Sequence, residues 1–553
     1  MKISLFLLAA LAVSGQIFAQ INNNDSGTEI LKPFRAKLAE SKKYDATPAQ
    51  PKIDSQASKN LEYVVPTRLK DLVYPKPKLD PLDLVENNKK DNSKTPTFYA
   101  RFGAGYPLSI LGELSYHTKP NDKYRFGATF RHHSGRGNYN DNQRFMDNAL
   151  RLQGAYFLKN GVGIDGGLGL NIDAPRFYGY GDTLILPKDS VAQQFTEING
   201  NIAVFNARPN KMELNYRGFL RFHNLSDKHG SNEFSISPNI NVEKWFGASK
   251  SNKKHLLVVD LGLNYVSLKD TFAALDTSLI LRQDPNRLLL HFHPHFSYNG
   301  GVFRARVGGR LGLNAGDFYI YPDLEALASL LNGKVNVYAG WAGAVRQNNF
   351  RTLSQFNPFI VSYLDARHTA QQDFYGGIKG SIKKYNYDIR VAYSRAENLP
   401  FFLNDSLSSY RRFLVVYDTA QIFSLRAGLE FEIVKGLQFS TNLGFYAYSL
   451  NNLAKAYHVP NFESTFNLSY RRQKFEATAA FYVNSGVAYF DELTRTDKTL
   501  SGLFDFNLGA SYNFTPNIGA FVQINNILNN QNQRWNRYPQ IGFNALAGVK
   551  VSF

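Results

Sequence analysis

The end of the chain, Leu503 to Phe553, is its most constraining stretch. From Phe504 to Phe514, the apolar residues Phe504, Phe506, Leu508, Ala510, Tyr512 and Phe514 alternate without a miss with Asp505, Asn507, Gly509, Ser511 and Asn513. Successive side chains of an extended strand point to opposite faces, so this stretch is a strand with one apolar face. The last segment repeats the pattern, setting Phe543, Ala545, Ala547, Val549, Val551 and Phe553 against Asn544, Gly548, Lys550 and Ser552, with Leu546 the one apolar intruder. Repeated segments of about ten residues match a bilayer crossed by tilted strands. The expectation is an all-β, antiparallel outer-membrane barrel whose closing strand ends on Phe553.

From Thr97 onward the same rhythm predicts about 22 strands. Arg411 to Asp418 is read as a strand-like piece of a long loop. Tight turn signals fall at Pro120-Asn121-Asp122, Asn160-Gly161, Arg208-Pro209-Asn210, Asn299-Gly300-Gly301, Asn332-Gly333, Lys435-Gly436 and Thr515-Pro516-Asn517. Between them lie mostly longer polar connections, among them 134–146, 174–192, 348–371 and 528–541. Short periplasmic turns alternating with long external loops is the asymmetry of bacterial outer-membrane barrels, and an even strand count puts both ends in the periplasm.

Met1 to Ala19 has the form of a secretory signal peptide, with Lys2 ahead of the apolar run Ile3 to Val13. Past it, no apolar run is long enough for a membrane helix, so any crossing is by strands. The chain has no cysteine, which excludes a disulfide scaffold and a thiolate metal site. Residues 20–95 are rich in Lys, Asp, Asn and Pro and lack any sustained period, so they read as an extended or disordered periplasmic arm. Residues 96–553 form the expected barrel. The arm keeps two apolar clusters, Tyr63, Val64 and Val65, then Leu72 and Tyr74, as candidates for docking a partner.

The motif ahead of the final strand carries a family resemblance. Asn526-Ile-Leu-Asn529, then Gln533, Trp535, Tyr538-Pro539 and Gly542, with the terminal Phe553, resemble the C-terminal pattern of TonB-dependent outer-membrane receptors, especially those of the Bacteroidetes type. The resemblance covers about forty residues and implies a 22-stranded transporter barrel. It also implies an N-terminal plug of well over a hundred residues behind an energy-coupling box. The arm has about 75 residues and no plug-like strand and turn content, so the expectation is a barrel without that plug.

Alternation puts His291, His293 and His295 in the lumen, opposite Leu290, Phe292 and Phe296. By strand rise each lies about 7 Å from the next, and no acidic partner at ligand spacing stands out, so a polar ladder is read rather than a metal site. No cofactor is implied. Arg304, Arg306 and Arg310 on one strand, and Arg217 and Arg221 on another, should also point inward. They either focus anions or neutralise inward carboxylates such as Glu197 and Glu213.

The formal charge is +18. The arm holds 14 Lys and Arg against 11 Asp and Glu, so the excess belongs to the barrel. Nothing resembles a nucleic-acid reader. The expected partners are outer-membrane lipid, lipopolysaccharide, the barrel-assembly machinery and a periplasmic or outer-membrane protein. His132-His133-Ser134 is placed at a loop start without a positioned acid, and the chain is read as no enzyme. Two functions remain: a plugless, receptor-like channel for small or anionic solutes, or a structural or assembly subunit that uses its barrel as a platform.

Overall fold

A computed structural model describes residues 97–553 except 120, 122, 181–185, 209, 248–254, 270–285, 315–316 and 410. The leader, the arm and the candidate residues Tyr63, Val64, Val65, Leu72 and Tyr74 lie outside the described residues.

In chain order the first strands are β1 (Phe98–Tyr106), β2 (Ser109–His117), β3 (Tyr124–Arg136), β4 (Arg144–Phe157), β5 (Val162–Asp173), β6 (Phe195–Asn206), β7 (Leu214–Asp227), β8 (Asn232–Phe246) and β9 (His255–Lys269). Next come β10 (Asn286–Asn299), β11 (Phe303–Asn314), β12 (Asp317–Leu330), β13 (Val335–Arg346), β14 (Thr369–Ile382), β15 (Tyr385–Asn404), β16 (Phe413–Val434), β17 (Leu437–Leu450), β18 (Phe462–Arg472) and β19 (Phe475–Ser485). The last are β20 (Ala488–Asp491), β21 (Thr496–Thr499), β22 (Leu503–Asn513), β23 (Ile518–Asn525), β24 (Gln533–Trp535), β25 (Tyr538–Pro539) and β26 (Asn544–Ser552). β20–β21 and β24–β25 are small pairs inside loops, and the other strands form one 22-stranded sheet.

Each barrel strand pairs antiparallel with its neighbour along the chain, and β26 closes the ring on β1, from Tyr99↔Ser552 to Tyr106↔Ala545. Phe98 N–H donates to Phe553 O at 3.0 Å, and Phe553 N–H returns a bond to Phe98 O at 2.9 Å. Closure leaves no unpaired sheet edge, which hydrocarbon would not tolerate. The outward face carries Phe130, Leu150, Leu168, Ile202, Ile240, Leu261, Val307 and Phe423, all exposed as an apolar band against lipid requires. Leu546, the intruder in the last strand, turns inward and is buried with Leu111 and Phe521. A Cβ on the adjacent Gly548 would stand 2.7 Å from the Phe521 ring, so glycine is what lets that ring lie flat against the wall.

Two sequence readings need correction. Arg411 to Asp418 is not a separate loop piece: from Phe413 onward it is the start of β16, paired with Leu399–Asn404 of β15. Here β15 and β16 carry apolar residues on both faces, with Phe401, Phe402 and Phe413 all at 0% exposure, because loops cover both sides. That burial removes the alternation by which strands are recognised. His132-His133-Ser134 likewise lies within β3 rather than at a loop start.

If the long-loop end faces outward, cysteines at Leu407 and Leu493, both highly exposed at that end, will react with an impermeant thiol reagent on intact cells. Cysteines at Met212 and Val302, equally open on short turns, will react only after the outer membrane is permeabilised.

Candidate functional site

The connection between β13 and β14 carries one short helix, α1 (Phe350–Phe356). Asn349 starts it with a reciprocal cap: Thr352 N–H donates to Asn349 Oδ1 at 2.8 Å, and Asn349 N–H donates to Thr352 Oγ1 at 3.0 Å. Phe350, Leu353 and Phe356, spaced to share a face, enter a buried cluster. The same cluster takes Phe195, Leu225 and Leu268 from β6, β7 and β9, Phe402 and Phe413 from β15 and β16, and Phe177 and Val191 from the β5–β6 connection. Trp535 and Tyr538 join it from the connection before β26. β6 and β16 stand ten strands apart on a ring of 22, on nearly opposite walls. The long-loop mouth is therefore spanned by a packed lid with its own hydrophobic core.

Polar contacts fasten the lid to the wall. Glu233 of β8, fully buried, accepts from Phe350 N–H at 2.6 Å and Arg351 N–H at 3.2 Å, with His223 Nε2 at 3.1 Å. A carboxylate there also complements the free N–H groups of the helix start. Arg351 pairs with Glu197 of β6 at 2.8 Å. Arg287 of β10 donates to the carbonyls of Asn348 and Ala366, at 2.8 and 3.0 Å, tying both feet of the connection together.

The C-terminal signature is built into this lid. Asn526, at φ 46°, donates to Asn530 O and Ile541 O, and Asn529 Oδ1 accepts from Phe543 N–H at 2.8 Å. A side chain at Gly542 would collide with Asn529 Oδ1, at 2.4 Å from its Cβ. Tyr538 stacks on Phe359 at 3.7 Å between ring centroids, and Pro539 O accepts from Gln143 and Tyr178. Trp535 stacks on His458 at 5.5 Å. His458 is fully buried between two backbone groups: its Nδ1–H donates to Phe402 O at 2.8 Å, and Nε2 accepts from Asn536 N–H at 3.2 Å. Those bonds fix the neutral ring, and burial holds its pKa down to about 3; His368, buried beside Arg287, is also held to about 3.

Beneath the lid, the inward histidines and arginines face carboxylates. His291 lies 3.1 Å from Asp260, and His293 lies 2.7 Å from Asp323. Arg306 and Arg310 approach the same Asp323 at 3.2 and 3.6 Å, and Arg306 also nears Glu325 at 3.6 Å. Arg217 pairs with Asp165 at 2.7 Å, and Arg221 lies over the Phe219 ring at 4.4 Å. Asp165, Asp323 and Glu325 are thus the carboxylates these arginines meet, while Glu197 is taken up by Arg351 of the lid. Cross-strand register decides this pairing, and a single strand's alternation does not reveal it. Ligand atoms of His293, His295 and Asp323 lie within 4.8 Å of one another. Asp323 is the acidic partner the sequence did not reveal, yet its carboxylate is already met by two guanidinium groups. A dication would enter against both charges, so the donor set suits an ion-pair lattice better than a metal.

A cleft of about 290 Å³ in the lid is lined by Phe177, Val361, Tyr363, Asp405, Leu407, Arg411 and Arg412. Asp405 is occupied by Leu407 N–H, Ser408 N–H and the Tyr363 hydroxyl. Arg411 gives its Nε–H to Ser408 O, and Arg412 lies 4.4 Å over Phe177 with one N–H toward His229. Among the described residues neither guanidinium has a carboxylate within ion-pair distance, so the cleft presents unspent positive donors.

No protein-family model matches the chain, and no curated protein does. Solved structures do match in fold. The FrpB iron transporter from Neisseria meningitidis superposes with a TM-score of 0.62 at 10% identity, over 84% of this chain and 82% of that one. The ferric-catecholate import receptor Fiu from K12 E. coli gives 0.62 at 11%, over 83% and 82%. The ferripyoverdine receptor of the outer membrane of Pseudomonas aeruginosa gives 0.60 at 12%, over 83% and 72%. At these identities the likeness is one of fold, and it is the 22-stranded barrel.

Two outcomes follow from the lid. Glu233→Ala removes the acceptor from two helix-start amides, and hydrogen exchange in Phe350–Phe356 should rise about a hundredfold while barrel strands stay protected. The second concerns pH. The unfolded histidine titrates near 6.5 and the buried one near 3, so lid stability is constant above about pH 6.5 and falls between there and pH 3. The loss is up to about 1.4 kcal/mol per pH unit for each histidine. Exchange in the lid measured across that range should show the slope, and His458→Gln should remove one histidine's share of it.

Proposed function

We propose that this chain is an outer-membrane transport protein of receptor-like architecture, held shut at rest by its own outer loops and admitting small anionic solutes when the lid yields. The observation that carries this reading is the lid: a wide barrel whose mouth is spanned by a cored, hydrogen-bonded roof is a gate rather than an open pore. The unpaired guanidinium groups of Arg411 and Arg412 on the cleft support an anionic solute, since cationic, partly desolvated donors concentrate oxyanions. In this reading residues 1–19 are a removed leader. The arm 20–95 works in the periplasm without a plug, docking a partner through Tyr63, Val64, Val65, Leu72 and Tyr74.

A second reading, a platform subunit of a larger outer-membrane complex, is favoured by how firmly Glu233, Arg287 and Arg351 fasten the lid. Planar-bilayer recording separates the two. The intact protein should stay closed, and a variant with residues 349–366 replaced by a short Gly-Ser linker should show large conductance steps with anion preference. In that open background, changing Arg304, Arg306 and Arg310 to Gln removes the guanidinium partners of Asp323 and Glu325 and should move the reversal potential toward cation preference. A barrel that stays silent without its lid, and co-purifies with other outer-membrane proteins, would favour the platform.

A further inference from the structure

Three polar side chains on the outer face of the barrel wall are arranged as a hydrolytic triad. Ser134 Oγ lies 3.0 Å from His132 Nε2, and His132 Nδ1 lies 2.7 Å from Asn148 Oδ1. The amide oxygen of Asn148 only accepts, so Nδ1 carries the proton and the Nε2 lone pair faces the serine hydroxyl. That is the tautomer a general base needs, held by a third group, in the nucleophile–base–orienter order by which such triads are recognised on unrelated folds.

The barrel builds this constellation by register. His132 and Ser134 are two apart on β3 and so share a face, and Asn148 of β4 stands directly opposite His132. The shared face is the lipid-facing one: Ile110, paired with Ser134, and Phe130 and Leu150 beside the triad are all exposed. The intervening Arg131 points the other way, into ion pairs with Glu113 and Asp147. Gly112 stands opposite His132 on β2 and puts no side chain against the ring, and the Phe102 ring lies 3.8 Å from where its Cβ would be. Ser134 is two residues from the long-loop end of β3, and the exposed Arg136 follows it on the same face. This places a hydroxyl nucleophile on the lipid-facing wall near its long-loop rim. Polar groups on a lipid-facing wall are costly unless they have a role or a partner.

We propose that His132, Ser134 and Asn148 form an acyl-ester hydrolase site acting on lipids of the surrounding outer leaflet, with Arg136 binding the lipid phosphate. Ser134 Oγ attacks the ester carbonyl carbon while its proton passes to His132 Nε2. The carbon–oxygen ester bond then breaks, His132 returns the proton to the departing alcohol oxygen, and an acyl-serine remains. Water attacks that acyl carbon, giving its proton through His132 to Ser134 Oγ and releasing the fatty acid. Asn148 is a positioning residue. The site is independent of transport, because neither lid nor lumen takes part.

The test uses the full-length protein, reconstituted in two kinds of vesicle: phosphatidylethanolamine with phosphatidylglycerol, and lipopolysaccharide. Free fatty acid is measured, and a fluorophosphonate probe is mapped by mass spectrometry. The expected result is fatty-acid release, probe attached at Ser134, and a fall of about a thousandfold or more in S134A and H132A. N148A should lower kcat with little change in KM, and N148D, which keeps an acceptor for Nδ1–H, should restore it. Release from one vesicle type alone supports the same chemistry and identifies the lipid. Folding of every variant is checked by heat-modifiable electrophoretic mobility. No release and no labelling by folded wild-type protein overturns the proposal, as does release undiminished in folded S134A.

Discussion

Everything in this molecule depends on the pairing of β1 with β26. Inside hydrocarbon an unpaired backbone N–H or C=O has no water to turn to, and an open 22-stranded sheet would expose two rows of them. The seam from Tyr99↔Ser552 to Tyr106↔Ala545 removes both rows at once, and the Phe98–Phe553 bonds finish it at the chain's last residue. The side chains that support the seam are inward and tightly fitted. Arg101 lies 3.8 Å over Phe521, Leu546 packs beside that ring, and Gly548 leaves it room.

Closing so many strands creates a second problem, a lumen too wide for side chains to fill. The wall handles charge by local pairing, as Asp323 does with His293, Arg306 and Arg310. The mouth is closed in a different way, by apolar loops that meet over the centre. α1 is too short to be stable alone, and it persists because Phe350, Leu353 and Phe356 are buried and Glu233 holds its start. Lid and wall are thus coupled through a few buried charges, and loss of a single one exposes the others to an uncompensated interior.

Much of the fold was legible in the sequence because lipid on one side and a polar lumen on the other impose a strict period of two. The failures share one cause, loss of that period. Leu399–Asn404 and Phe413–Asp418 are covered on both faces, so their strand character was hidden. The helix in the β13–β14 connection left a fainter signal, Asn349 with Thr352 as a cap and Phe350, Leu353 and Phe356 at helical spacing. The inward direction of His291, His293 and Arg306 could be read from alternation, whereas their partners lie on other strands and depend on register. The same is true of Asn148, whose position opposite His132 no linear spacing displays. The C-terminal signature could be recognised but not explained until its Asn526, Trp535 and Tyr538 were seen to seat the lid.

Loops from opposite walls meet over the mouth of the barrel. Ser190, next to the fully exposed Asp189, and Leu407 line one cleft although they rise from the β5–β6 and β15–β16 connections. Spin labels at positions 189 and 407, measured by pulsed electron paramagnetic resonance in native outer membranes, test this directly. A single narrow, short distance is the predicted result; a broad distribution reaching across the barrel would contradict it.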